Sequence, residues 1–521
     1  MSIESQIKPL FKGDIFKDEE TLKKYSRDAS FFEVKPQLVV FPKDIDDLKN
    51  LVLFAIENKN YGISLTARSG GTDMTGGPLN NSIIMDFTRY FNHIKEIKDG
   101  YAIAEPGVFY RDFEKETLKK NLLLPSYPAS RNICAIGGMV ANNSGGEKTL
   151  SYGKTEKYVK ELKVILRDGN EYVFKPLTKE ELDQKVQQKD LEGEIYKEIY
   201  QLVEENSSQI KLAKPNVSKN SAGYALWNIW DGATFDLTKL FVGSQGTLGI
   251  ITEVKFQLIK PKKYSKLLVI FSKDFKPLAQ IVGKVLRHKP ESFESFDDHT
   301  LKLGIRYLFF RFALKFLPEL YMIATSGLPK LVLLAEFTGD SINEAENKAK
   351  KAQLDLKELN LRTRITKDAD DVEKYWTVRR ESFNLLRTKI KGKKTVPFID
   401  DIIVRPERLP EFLPKLEEIL NQYKIIYTIA GHIGDGNFHI IPLMDLGDPQ
   451  SKIIISELAD KVYKLVFEFH GSMTAEHNDG IIRTPYLKEM FGEEVCGLFK
   501  KVKNIFDPDN IFNPGKKVIL K

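Results

Sequence analysis

From Asp44 to Asn58 the apolar side chains fall at Ile45, Leu48, Leu51, Val52 and Ala55, a spacing that predicts one amphipathic helix. Before it, FFEVKPQLVVFP reads as a strand ended by a proline. After it, Ile63–Ala67 and Ser82–Asp86 read as two short strands. The lead-in to about Ser30 is charged and helical in character. Asp99-Gly100 predicts a hairpin turn, followed by a short strand and an amphipathic helix from about Tyr110 to Lys120. A short helix is expected over Met139–Ser144, between two Gly-Gly pairs, and Leu240–Pro261 ends in a long β-rich run. Past the polar PKKYSK, LLVIFS opens another strand. Further on, Asp435-Gly436 between TIAGHIG and NFHIIPL predicts a two-residue hairpin loop, which would set His432 directly opposite His439. Strands and helices alternate without a repeat, so the fold class expected is α+β.

The loops carry more chemistry than the elements. ARSGGTDMTGG, Ala67 to Gly77, holds four glycines and three hydroxyl side chains, Ser69, Thr72 and Thr75. Glycine lets main-chain N–H groups approach an anion closely, so the loop suits a phosphate, although a ligand-free surface turn explains one such loop equally well. It fits neither the Rossmann fingerprint nor the P-loop. A second glycine-rich stretch follows at Pro125–Thr155, with pairs Gly137-Gly138 and Gly145-Gly146. A third, VGSQGTLG, precedes the β-rich run. Three such segments are most economically explained by one large phosphate-containing ligand.

Composition narrows the class. The chain has 521 residues, 42% hydrophobic and 29% charged, as expected for a globular protein of two or three domains. The net charge of +7 is spread along the chain with no basic block, so no nucleic-acid partner is expected. The two cysteines, Cys134 and Cys496, cannot form a metal or cluster site, so redox chemistry requires a non-thiol cofactor. The polar N-terminus carries no secretory signal, no apolar run is long enough to span a bilayer, and a reducing, cytoplasmic compartment is expected.

The ordered set ARSGGTDMTGG, PASRNICAIGGMVANNSGG with YGKT, and VGSQGTLGIITE resembles the FAD-binding (PCMH-type) domain of the vanillyl-alcohol oxidase type of flavoprotein. In particular it is similar to the D-2-hydroxy-acid dehydrogenases, a group that includes D-lactate dehydrogenase, the glycolate oxidase flavin subunit and D-2-hydroxyglutarate dehydrogenase. The resemblance runs from about Tyr25 to the C-terminus. It implies an FAD-binding domain over residues 1–261 with a helical lead-in at 1–33, a cap or substrate domain with an antiparallel sheet over 262–500, and a segment returning to the flavin domain over 501–521. It further implies that Arg68, Ser69, Gly70, Gly71, Thr72, Asp73 and Gly76 hold the FAD pyrophosphate. Pro128, Ala129, Ser130, Gly137, Gly138, Asn142, Gly145, Tyr152 and Gly153 would line the isoalloxazine and ribityl path, Gly246 and Ile251 would meet the adenosine side, and Asn513 would add a further FAD contact. Some relatives attach the flavin through a histidine at the position of Thr72, so non-covalent FAD is expected. Gln245 stands where many relatives have glutamate.

Four of the seven histidines, His432, His439, His470 and His477, lie near the C-terminus, and Glu476 adjoins His477. Two imidazoles and a carboxylate suit a divalent ion, and hydrogen-bonded structural histidines are the plainer alternative. The resemblance implies that His432, His439 and Glu476 hold a divalent metal, zinc in relatives. It places Asn437 beside the substrate and makes His477 the base. Arg379, in YWTVRRESF, matches a family arginine that grips a substrate carboxylate; Arg380 is the fallback, and Phe383 and Ile399 fall where relatives carry further substrate contacts. Glu-His-Asn-Asp-Gly followed by RTPYL resembles the branch fused to a C-terminal iron–sulfur module, which is not expected after DPDNIFNPGKKVILK.

The expected activity is oxidation of a D-2-hydroxy acid by FAD with metal assistance, electrons leaving to a separate acceptor: a quinone, an electron-transfer flavoprotein or an iron–sulfur protein. A sugar or alcohol oxidase of the same fold, or a non-catalytic electron-transfer subunit, stays open. Leu301–Phe337, where Arg306, Arg311 and Lys315 interleave with phenylalanines, reads as a packed cap helix ended by Pro318, with a peripheral contact on the inner face of a membrane as the alternative.

Overall fold

The computed structural model describes residues 2–302, 317–389 and 392–520. Leu38–Phe41, Ile83–Asp86 and Leu65–Arg68 form a parallel core with Ile83–Asp86 in the middle. Ile83, Ile84 and Met85 are fully buried, as a strand covered on both faces requires. The predicted helix forms over Ile45–Glu57, with the Asp44 side chain accepting the Asp47 N–H at its start, and it buries Leu48, Leu51, Val52 and Ala55. The strand Asp14–Phe16 closes the sheet antiparallel to Leu38–Phe41, so the lead-in is not helical throughout. The buried carboxylate of Asp47 fixes this edge by accepting the backbone N–H groups of Lys12, Gly13 and Lys43, a long-range cause that three residues of strand do not reveal.

The second sheet is antiparallel, in the order Ile94–Lys98, Tyr101–Ala104, Ile250–Gln257, Val159–Ile165, Glu171–Phe174. Asp99-Gly100 forms its tight turn, with Lys98 opposite Tyr101. The amphipathic helix covers Tyr110–Lys119. The short helix runs from Ile136 to Asn142, earlier than the Met139–Ser144 expected. Gly137 and Gly138 lie inside its first turn, packed on Pro106 and Ser69, and Asn143 stops it in the left-handed region.

An eight-stranded antiparallel sheet follows, including Tyr264–Ser272, Ser292–Asp297, Leu331–Gly339 and the hairpin Ile426–His432 with Asn437–Met444. Within the aromatic stretch, Arg306, Arg311, Lys315 and the intervening phenylalanines lie outside the described residues. Pro318 lies within the described helix Leu317–Ser326, and the helix it was expected to end falls outside the described residues. Leu331–Phe337 is buried strand in the cap. Among the described residues no helix is long and apolar enough to cross a membrane. The last long helix, Leu487–Phe506, is broken at Gly492, and its Val495, Leu498, Phe499, Val502 and Phe506 pack into the core around the second sheet.

The whole is an α+β fold in which the larger antiparallel sheet follows the two N-terminal sheets in the chain.

Candidate functional site

The three glycine-rich segments, far apart in sequence, meet at one place. Gly138 N–H donates to Ser69 Oγ at 3.1 Å, and a methyl on Gly70 would lie 2.7 Å from Ile133 O, so the first two segments touch backbone to backbone. The third joins through Gly243 N–H to Val140 O and Gln245 N–H to Ala141 O. Asn513 stitches the first to the third: its Nδ2 donates to Gly77 O and Gln245 O at 2.9 and 2.7 Å. Asp73 takes the N–H groups of Thr75 and Gly77, whereas those of Gly70, Gly71 and Thr72 have no protein acceptor among the described residues. Free, clustered N–H groups on a glycine loop fit the pyrophosphate of a dinucleotide. Arg68 is tied back to Arg27 O and Tyr25 O and lies over the Tyr25 ring.

The remaining residues expected along the flavin lie on the second and third segments and the strand that follows them. Pro128, Ala129 and Ser130 open a turn in which Ser130 O accepts from Cys134 N–H. Tyr152 donates to Glu291 Oε2 at 3.1 Å, Gly153 and Gly246 both have positive φ, and Ile251 sits in the second sheet opposite Val164. A methyl on Gly145 would lie 3.0 Å from Glu476 Oε1, so the second segment abuts the histidine cluster. Two further bonds join the halves of the site: Asn142 Nδ2 to Glu476 O, and Asn478 Nδ2 to Gly243 O.

His432, His439 and Glu476 are all buried, and one ligand atom from each lies within 4.8 Å of the others. The hairpin carrying the histidines differs from the expected one. His432 faces Asn437, and His439 faces Ala430, because the loop is four residues, Ile433 to Gly436. The Asp435 and Gly436 N–H groups fold back onto His432 O and Ile433 O, and Phe293 O takes the Gly434 N–H, which holds the longer loop. The two histidines are therefore diagonal neighbours on one face of the hairpin, ring centres 5.2 Å apart. His477 stacks on His439 with centres 5.1 Å apart, and His470 is exposed, outside the cluster.

Carboxylates set which nitrogen each ring presents. Glu294 Oε1 lies 2.6 Å from His432 Nδ1, and Asp400 Oδ1 lies 3.1 Å from His439 Nδ1, leaving both Nε2 atoms for an ion. Asp400 Oδ2 also lies 2.7 Å from His477 Nδ1. Asp401 fixes the loop instead: its Oδ2 accepts from the Thr474 hydroxyl and the N–H groups of Glu476 and His477. Two imidazoles and a carboxylate, with their outer nitrogens already engaged, fit a tetrahedral divalent ion. Asp400, His439 and His477 form an overlapping trio that shares His439.

Burial opposes charge throughout this cluster, and its neighbours decide the outcome. Burial alone would lower His432, but Glu294 and Glu476 outweigh it and raise it to about 9. Burial wins at His439, which falls below the usual histidine range despite Asp400. Burial is again overcome at His477, which Asp400 and Asp401 raise to about 9. Lys219 and His432 hold the Glu476 carboxyl well below its ordinary range against the burial penalty.

Arg379 is buried, and its guanidinium spans Glu294 Oε2 at 3.0 and 3.1 Å, which makes it part of the network behind His432. Arg380 pairs with Glu147 over the Trp376 ring. Asn437 Nδ2 donates to Asp401 Oδ1, and its Oδ1 accepts from Lys219. Glu294, Asp400, Asp401 and Lys219 are absent from the set expected from sequence. The acid pair inside the apolar run VPFIDDIIV is a readable signal for Asp400 and Asp401; nothing local marks Lys219.

Residues 36–174 match the family described as "FAD binding domain", and residues 261–517 match "FAD linked oxidases, C-terminal domain". D-2-hydroxyglutarate dehydrogenase of Pseudomonas putida is 28% identical over 513 residues, 97% of this chain and 50% of that protein. The chain thus spans about half the length of that relative, and of three others of the same name. Glycolate oxidase subunit GlcD of Bacillus subtilis is 26% identical over 502 residues, 94% of this chain and 91% of that one. Among solved structures, p-cresol methylhydroxylase shares the fold with a TM-score of 0.71 at 15% identity, over 99% of this chain and 96% of the other.

Proposed function

We propose, from its matches to the FAD-binding and FAD-linked oxidase families and from the site it builds, that the chain is a dehydrogenase that oxidises a D-2-hydroxy acid to the 2-oxo acid, with non-covalent FAD and a divalent metal. The observation that carries the reading is the junction of the glycine-rich segments with the cluster His432, His439, Glu476 and His477, joined by Asn142 and Asn478. The names of the relatives, D-2-hydroxyglutarate dehydrogenase and a glycolate oxidase subunit, support the substrate class.

When bound, FAD supplies a hydride acceptor and the metal, taken as zinc, supplies a Lewis acid. The side chains do the rest. His432, His439 and Glu476 would hold the ion. His477, with Nδ1 against Asp400, takes the proton of the C2 hydroxyl at Nε2 in its deprotonated form; Asp400 and Asp401, which raise it to about 9, favour the imidazolium so formed, and turnover should rise with pH toward that value. Asn437, fixed by Asp401 and Lys219, orients the acid, and Arg379 holds positive charge near its carboxylate while paired with Glu294. Ile399 is fully buried and brings no charge to the far end of a substrate, so the proposal stops at the 2-hydroxy acid head group.

Electrons leave to a separate acceptor. Turnover of a panel of 2-hydroxy acids with an artificial dye as acceptor tests the class. Activity with D-acids alone is expected, and peroxide-forming turnover of sugars with none of the acids would replace this reading by a sugar oxidase.

A further inference from the structure

Lys219 lies on the segment between the helix Ser207–Ala213 and the turn Leu226–Asn228, and its side chain ends among the proposed metal-site residues. The side chain is 2% exposed. Its ammonium pairs with Glu476 Oε1 and lies 3.1 Å from Asn437 Oδ1 and 3.4 Å from Asp435 Oδ2. Glu476 and Asn437 take hydrogen bonds from the ammonium, and the Asp435 carboxylate is an ion-pair neighbour. Asp435 is itself held, its Oδ1 accepting from the Ser218 hydroxyl at 2.7 Å. A buried cation between two carboxylates and an amide oxygen is held in place, since losing a partner would expose the cost of its desolvation.

The consequence lies in how Glu476 is divided. Oε1 belongs to Lys219, whereas Oε2 faces His432 Nε2 at 3.4 Å, toward the other ligand atoms. Resting on the metal reading above, we propose that Lys219 is a positioning residue that restricts Glu476 to one ligand oxygen and keeps a positive charge beside the donor set. An ion held this way is bound less tightly and keeps more of its positive charge for a substrate oxygen.

Cobalt(II) is the probe, since its visible d–d bands are strong when it is four-coordinate and weak when a fifth ligand enters. Purified FAD-loaded protein, stripped of metal, is titrated with cobalt in the wild type and in Lys219→Met and Lys219→Gln, with flavin content and far-ultraviolet circular dichroism confirming the fold. Both variants should bind cobalt about tenfold or more tightly than the wild type, with weaker bands per ion as both oxygens of Glu476 engage. The glutamine variant keeps an N–H donor without the charge, and it decides the question if the methionine variant does not fold. Unchanged or weaker affinity with unchanged bands, in variants that retain flavin, overturns the role of Lys219 and leaves the metal reading standing. Absence of cobalt binding in the wild type and in both variants overturns the metal reading, and this role with it.

Discussion

Asp400 Oδ2 lies 2.7 Å from Nδ1 of His477, and the other oxygen of the same carboxylate faces His439 Nδ1 at 3.1 Å. One buried acid thus orients both the proposed base and a proposed metal ligand. Asp400→Asn keeps the shape and loses the charge, so flavin reduction should slow by a factor on the order of 100 to 10,000. Metal affinity should fall about 10- to 100-fold. Stopped-flow flavin reduction and metal titration read the two effects separately.

His477 itself should be dispensable for the cofactor and not for the chemistry. His477→Ala is expected to retain FAD and lose reduction by substrate by a factor on the order of 100 to 10,000. Reduction at the wild-type rate with flavin still bound would remove it as the base.

The first glycine-rich loop is subject to a pH-dependent penalty at Asp28. Asp28 accepts from Gly76 N–H beside Asp73, and burial, with repulsion from Asp73, raises its pKa to about 7 from the ordinary 3.8. The folded protein therefore holds a proton there that the unfolded chain has released, between about pH 4 and pH 7, and stability falls as pH rises through that window. Asp28→Asn removes the penalty. Relative to the wild type it should gain on the order of 1–3 kcal/mol between pH 5 and pH 8, measured by urea denaturation at both values. A difference that does not change with pH would contradict this.

The loop after His477 is docked on the first glycine-rich loop at Gly480. Its φ is 53°, its N–H donates to Gln245 Oε1, and a methyl there would lie 2.4 Å from Thr75 O. Gly480→Ala should push the two loops apart and weaken FAD binding by about 1–3 kcal/mol, seen as flavin lost on gel filtration.

Much of this was legible in the sequence where the cause is local. The helix Ile45–Glu57 follows from its apolar spacing and Asp44, and the three glycine-rich segments and the histidines with Glu476 stand out as types in a pattern. The hairpin register was not legible, because Phe293 O holding Gly434, together with Val404 N–H on Gly436 O, selects a four-residue loop over the two-residue turn that Asp-Gly suggests. Glu294, Asp400 and Lys219 reach the cluster from three distant segments, so only the fold assembles them. The shape of the short helix Ile136–Asn142 was likewise decided by contact, with Pro106 and Ser69 rather than by its own residues.

The central claim is that a metal held by His432, His439 and Glu476 assists hydride loss from a D-2-hydroxy acid. The most direct measurement is an anaerobic titration of the FAD-loaded protein with D- and L-2-hydroxy acids, following the visible flavin band with and without a chelator. Bleaching by a D-acid, absent with its L-enantiomer and suppressed by chelator until metal is restored, is the predicted result. Bleaching that is indifferent to chelator, or none with any hydroxy acid, would contradict the account.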